Sequence, residues 1–199
     1  MAAYRATTHV PPLVREAMDV AKEAGFEQSC TEEVGRLLRL LASQFETGTI
    51  GEIGTGYGVG AAWIASALAP GACFVTVEID EARAARAHAL FRHLPNVRVI
   101  HGDWREIVRY GPFTMLFADG ARVKERHPEV ILQSLKPGGL LVLDDLTPED
   151  QWPTEWRGRP DPVRQFWLND PRVTATEVMV SRDHAVILAT RSATPRRGA

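Results

Sequence analysis

Cysteine is scarce. The 199-residue chain has two, Cys30 and Cys73, and neither belongs to a CxxC pair. Two thiols are too few for a disulfide framework or a zinc knuckle, and reduced thiols are what a cytoplasmic protein carries. Excess charge of one sign is also missing, since 23 basic and 25 acidic side chains leave a formal net charge of −2. That balance argues against holding nucleic acid by bulk electrostatics, so no nucleic-acid partner is expected. Long apolar runs are absent as well. The richest stretch, Leu37-Leu38-Arg39-Leu40-Leu41, is interrupted by charge and falls short of the roughly 18 residues of a spanning helix. Residues 1–12 lack the apolar core of a signal peptide. The expectation is a soluble, cytoplasmic chain with no membrane partner.

What is present is ordinary globular material, 45% hydrophobic and 24% charged, enough for one domain with a real core. Pro11-Pro12 predicts a helix running to about Gly25, because the first helical N–H groups lack partners anyway. Ser29 and Glu32 have capping-box spacing ahead of Val34, Leu37, Leu38, Leu41, Ala42 and Phe45, a stripe at helical period. Strands are predicted over 49–54, 73–79, 97–100, 113–118 and 140–143. They alternate with helices over 61–68, 82–94, 104–110 and 123–135, the pattern of a parallel sheet covered on both faces. Two further strands, 173–180 and 185–190, are joined by residues 181–184 and form an antiparallel hairpin. The expected fold is α/β, a doubly wound, mostly parallel seven-stranded sheet with an antiparallel edge hairpin. A single domain over 1–191 would comprise N-terminal helices (1–48), a ligand-binding core (49–146), a loop on the acceptor side (147–162), and a helix with the edge hairpin (163–191). Residues 192–199 read as a frayed polar tail.

The sharpest local signal is Glu52-Ile53-Gly54-Thr55-Gly56-Tyr57-Gly58-Val59-Gly60, between the first core strand and its helix. Glycines there let the backbone turn tightly and approach a ligand, at the strand ends where open α/β sheets bind ligands. The loop lacks the Lys-Ser or Lys-Thr of a Walker sequence, and it matches the dinucleotide pattern GxGxxG only loosely. Acidic Glu52 suits a cationic ligand better than a pyrophosphate. Glu78 ends the second core strand, placed to accept from ribose hydroxyls. A nucleoside with a positive, non-phosphate appendage satisfies both, and S-adenosylmethionine is such a ligand.

On these residues the chain resembles the class I S-adenosylmethionine-dependent methyltransferases, with a Rossmann-like sheet. Within them it is similar to the catechol and caffeoyl-CoA O-methyltransferase type, over about residues 29–190. The resemblance implies that Gly54, Thr55, Gly56, Tyr57, Gly58 and Gly60 face the methionine part of the cofactor and that Glu78 and Ile79 face the ribose. It implies that Gly102, Asp103 and Trp104 surround the adenine, with Asp103 accepting from the adenine amino group; Asp103 also reads as a helix cap. The segment Ser29-Cys30-Thr31 matches one that abuts the cofactor in that family.

Asp119 follows the fourth core strand, and Asp144 and Asp145 follow the fifth. Carboxylates converging at neighbouring strand ends repel unless protonated or bound to a cation, and hard oxygen ligands suit Mg²⁺ or a similar ion. In the resembled family Asp119, Asp144 and Asp145 occupy metal-ligand positions, although that family usually has Asp-Asn at the pair. Its general base is a lysine three residues after the first aspartate. Here that residue is Arg122, which stays protonated and can at most stabilise an oxyanion. The candidate catalytic set is therefore Asp119, Arg122 and Asp144.

The methyl acceptor that the resemblance implies is a small hydroxylated molecule, with a catechol-like one among the candidates. A metal-independent methyltransferase acting on another nucleophile, or a non-catalytic S-adenosylmethionine binder, remains open. The family is often dimeric, and the first helix could serve a homodimer interface or pack on its own core. Trp152 and Trp156, in the proline-rich stretch 147–162, either hold a planar acceptor or pin the loop, while Trp167 reads as core. Lys124 and His127 read as a solvated helix face, as do Arg83, Arg86 and Arg92. His9, His88, His93 and His184 are scattered and suggest no zinc site.

Overall fold

The computed structural model describes residues 9–120 and 123–193, so Arg122 and most of the expected tail lie outside the described residues. Seven strands form one sheet in the order β3-β2-β1-β4-β5-β7-β6. They are β1 (Thr47–Ile53), β2 (Gly71–Glu78), β3 (Val97–His101), β4 (Phe113–Ala118), β5 (Leu135–Leu146), β6 (Val173–Met179) and β7 (Ala185–Arg191). Strands β1 to β5 pair in parallel, and β7 runs antiparallel to both β5 and β6.

Helices α1 (Pro12–Glu23), α2 (Glu32–Ala42), α3 (Val59–Ala65) and α4 (Glu81–Phe91) contribute to one core, with Leu38, Trp63, Phe74 and Phe117 at its centre. On the other face α5 (Arg105–Val108), α6 (Val123–Arg126), α7 (Pro128–Ser134) and α8 (Pro162–Asn169) pack around Ile107, Phe113, Leu132 and Trp167. Strand alternation feeds both layers: Val142 and Val186 point into the first core, and Leu141, Leu143 and Ile187 into the second. Chain order reverses between β1 and β4, which opens a crevice at their carboxyl ends. The glycine loop and Asp119 both begin there.

Three local expectations are corrected. The α2 cap is Thr31, whose side chain accepts from the Val34 N–H, while Ser29 Oγ has no partner. The helix expected over 123–135 is two, because Pro128 has no N–H to continue the ladder and α7 starts afresh after His127. The last core strand starts earlier than expected. Pro137-Gly138-Gly139 lies inside β5 as a register shift, since Phe113 pairs with Leu135 and Met115 with Leu140. Among the described residues no helix is long and apolar enough to cross a membrane.

Candidate active site

The glycine loop is anchored from both sides. Gly54 takes φ +95 and donates its N–H to the Val77 carbonyl, and Gly58 takes φ +93 where the chain enters α3. An L side chain at either position is strained. The acidic residue before the loop behaves differently from expectation. Glu52 is 1% exposed and lies beneath the loop rather than on the cavity wall. Its Oε2 accepts from Thr76 Oγ1 at 2.5 Å, and Thr76 meets Thr55 Oγ1 at 2.5 Å. Burial pushes the Glu52 carboxyl well above its ordinary range, against the Thr76 hydrogen bond. A methyl group on Gly60 would stand 2.7 Å from Glu52 Oε1, so this glycine is required by packing.

Glu78 ties the loop to β2. Its Oε2 accepts from the Gly56 N–H at 2.8 Å, and its Oε1 from the Asp80 N–H at 3.0 Å and from Arg83 Nη2 at 2.9 Å. A carboxylate oxygen has two lone-pair sites, so Oε2 keeps capacity for a ligand hydroxyl. Arg83 is therefore a site residue rather than part of a solvated face; its guanidinium also lies 5.6 Å from the Phe26 ring centroid. Phe26 in turn packs edge-on against Tyr57 at 5.2 Å.

Two cavities meet at this loop. One, of about 520 Å³, lies between the segment Phe26–Cys30, the glycine loop and the aspartates. The other, of about 430 Å³, lies against Gly102, Asp103 and Trp104. Gly54, Glu78, Ile79 and Gly120 border both. In the second cavity Trp104 stacks on His127 with centroids 5.1 Å apart, so His127 belongs to the wall rather than to a solvated helix face. Asp103 Oδ1 accepts from the Arg105 N–H at 3.0 Å and from Arg105 Nη1 at 2.9 Å, which fixes it at the start of α5.

The three aspartates do converge. Asp119 is pushed up to about 8, first by burial and then by the charges of Asp145 and Asp144. Asp145 is the single non-glycine residue with positive φ among the described residues, at +59, a conformation that costs energy and gathers at functional sites. Two residues that sequence spacing left aside join them. Lys124, 5% exposed, donates from Nζ to the Asp144 carbonyl and lies 3.5 Å from Asp145 Oδ2. It is therefore buried in the site and not on a solvated face. His184, in the turn between β6 and β7, brings Nε2 to 2.6 Å from Asp144 Oδ1, and that bond raises the imidazole pKa. Asp144, Asp145 and His184 each offer one ligand atom, all within 4.8 Å of one another. The expected metal set held Asp119 in place of His184. Cys30 lines the same cavity, its thiol pushed up by burial and then by the carboxylates.

Asp145 also borders a third cavity of about 350 Å³ under the 147–162 loop, with Lys124, Trp152, Trp156 and Arg159 on its wall. The loop is built rather than loose. Arg164 donates to Asp161, to both Glu177 oxygens and to the Thr147 carbonyl, and its guanidinium lies 5.4 Å from the Trp152 ring. Trp152 Nε1 donates to Thr147 O at 2.9 Å, so Trp152 pins the loop, while Trp156 is 49% exposed.

The comparisons agree with this geometry. A family model described as a methyltransferase domain matches residues 52–146. No curated protein matches the sequence. Among solved structures, the chain is similar to an O-methyltransferase from Bacillus cereus in complex with SAH, at 24% identity and TM-score 0.78, covering 94% of this chain and 93% of that one. It is similar to the O-methyltransferase TomG from Streptomyces achromogenes, solved with SAM, at 24% identity and TM-score 0.75, covering 94% and 92%. It is also similar to the SAH-bound methyltransferase PaMTH1 of Podospora anserina, at 18% identity and TM-score 0.73, covering 94% and 91%. Residues 52–146, which carry the glycine loop, Glu78 and the three aspartates, are the stretch that the methyltransferase-domain model matches, and the chain shares the fold of these solved methyltransferases.

Proposed function

We propose that the chain moves the methyl group of S-adenosylmethionine to a hydroxyl oxygen of a small, planar acceptor, with a divalent cation assisting. The observation that carries this reading is the chain of three cavities. The two beside the glycine loop share Gly54, Glu78, Ile79 and Gly120, and the third joins the first at Asp145. A nucleoside spanning the first pair puts its ribose at Glu78 and Ile79, and its adenine beside Gly102, Asp103 and Trp104. The methionine part would then lie along Gly54, Thr55, Gly56, Tyr57, Gly58 and Gly60, with Asp119 and Asp145 on the wall of the same cavity. Glu52 acts from below by holding Thr76 and the loop.

The acceptor would occupy the cavity under the 147–162 loop, with the exposed face of Trp156 for a flat ring. In the transfer the acceptor oxygen forms a bond to the methyl carbon while the carbon–sulfur bond breaks. Sulfur keeps the electron pair, and the hydroxyl proton passes to solvent water. Orientation of the two substrates supplies much of the rate. The donor set of Asp144, Asp145 and His184 fits a divalent cation. When bound, such an ion lowers the pKa of a nearby hydroxyl. Lys124 lies 3.5 Å from Asp145 Oδ2 and brings its ammonium group beside the acceptor cavity. Two unpaired cysteines support a cytoplasmic setting.

A second reading has its own observation. Lys124 at Asp145 and His184 at Asp144 already bring cationic groups to the carboxylates, which supports transfer without a metal. Incubation with S-adenosylmethionine and a panel of catechols, read by mass spectrometry with Mg²⁺, with Mn²⁺ and with chelator, tests both. A methylated catechol formed only with metal is the expected result. Product formation undiminished by chelator favours the second reading. Absence of methylated product from hydroxylated acceptors, with bound cofactor, contradicts the hydroxyl assignment. Trp156→Ala is expected to raise the acceptor KM while leaving cofactor affinity unchanged.

A further inference from the structure

His184 enters the site from the edge hairpin, distant in sequence from β4 and β5. Its imidazole is 22% exposed and meets an Asp144 carboxylate that is 1% exposed. The ligand atoms of Asp144, Asp145 and His184 lie within 4.8 Å of one another, and all three residues line the 520 Å³ cavity. The same cavity has Ser29 on its wall, whose Oγ is buried without a hydrogen-bond partner.

We propose that His184 is a nitrogen ligand, with Asp144 and Asp145, for the divalent cation, and that the site therefore selects Mn²⁺ or a later first-row ion over Mg²⁺. The inference rests on the cation-assisted reading above. Mg²⁺ favours oxygen ligands in a near-ideal octahedron and keeps several waters. Imidazole is accepted readily by first-row transition ions, whose affinities rise along the series from Mn²⁺. Asp119 is not among the three residues whose ligand atoms gather within 4.8 Å, and it stays outside the set. Lys124 remains at Asp145 Oδ2, 3.5 Å away.

The test is Mn²⁺ titration of the chelator-treated full chain, followed by electron paramagnetic resonance, with pulsed detection of nitrogen coupling. The expected result is bound Mn²⁺ with an imidazole ¹⁴N coupling. His184→Ala should abolish the coupling and weaken Mn²⁺ at least about tenfold, with Mg²⁺ affinity changing far less. Asp119→Asn should keep the coupling. His184→Asn serves as a second variant if the alanine form loses its circular dichroism. Mn²⁺ bound without nitrogen coupling, or bound equally well by the His184 variants, overturns the inference, as does Mg²⁺ binding tighter than Mn²⁺. Calorimetry with S-adenosylhomocysteine on the same samples separates the two levels. Cofactor product bound but no Mn²⁺ bound overturns the ligand assignment and leaves methyl transfer standing; no binding of the cofactor product overturns methyl transfer itself.

Discussion

Gly54 and Glu78 carry the cofactor reading at the level of single residues, and each has a distinct failure mode. A side chain on Gly54 meets the Gly120 N–H at 3.2 Å in a conformation with φ +95. Gly54→Ala is expected to cost about 1–2 kcal/mol in chemical denaturation and to weaken S-adenosylhomocysteine by calorimetry. Full stability and full affinity in that variant would contradict the close approach. Glu78→Gln keeps the shape but removes the charge facing Arg83, and should weaken the same ligand by about tenfold or more, roughly 1.4 kcal/mol. Both positions were legible in the sequence because strand, glycine loop and acidic residue follow one another along the chain. Lys124 and His184 were not. The direction of Lys124 depends on where Pro128 breaks the helix, and His184 reaches Asp144 only because β7 pairs with β5. Glu52 was read as a charge for the ligand. Its burial under Thr76 could be seen only once β1 and β2 were paired.

Elements position these residues through a few tight contacts. α2 rests on α3 where Gly35 faces Trp63, and a Cβ there would stand 2.1 Å from the indole Nε1. Gly35→Ala is expected to destabilise by about 1–3 kcal/mol and to shift Trp63 fluorescence. It should also loosen the 26–30 segment, which hangs between α1 and α2 over the 520 Å³ cavity. An unchanged denaturation midpoint would show that the helices slide apart without cost. Strand and helix order was legible because apolar strands alternate with helical stripes. Element ends were less so. Thr31 rather than Ser29 accepts the N–H of the first turn, a choice between neighbours that backbone direction decides. The Pro137-Gly138-Gly139 segment looked like a break. Gly139 instead fits within β5, where a Cβ would lie 2.7 Å from Phe113 O.

The whole molecule gathers acidic groups at the carboxyl ends of two central strands, β4 and β5, and its stability should show it. Asp119 has a folded pKa of about 8, above its ordinary 3.8. Between those values the unfolded chain has released a proton that the folded chain keeps, so stability falls as pH rises. His184 is raised as well, chiefly by its Asp144 hydrogen bond. Its contribution is fully present below the ordinary 6.5 and is lost as pH rises through the folded value. The metal-free protein is therefore expected to be less stable at pH 8 than at pH 6 in urea, and Asp119→Asn should flatten that slope. A wild-type profile rising over this range would contradict the buried placement of Asp119. The central claim is that the crevice between β1 and β4 holds S-adenosylmethionine. Isothermal titration of the wild-type chain with S-adenosylhomocysteine tests it most directly. One site per chain, weakened in Gly54→Ala, is the expected result. Absence of both binding heat and thermal stabilisation at saturating ligand would contradict the claim.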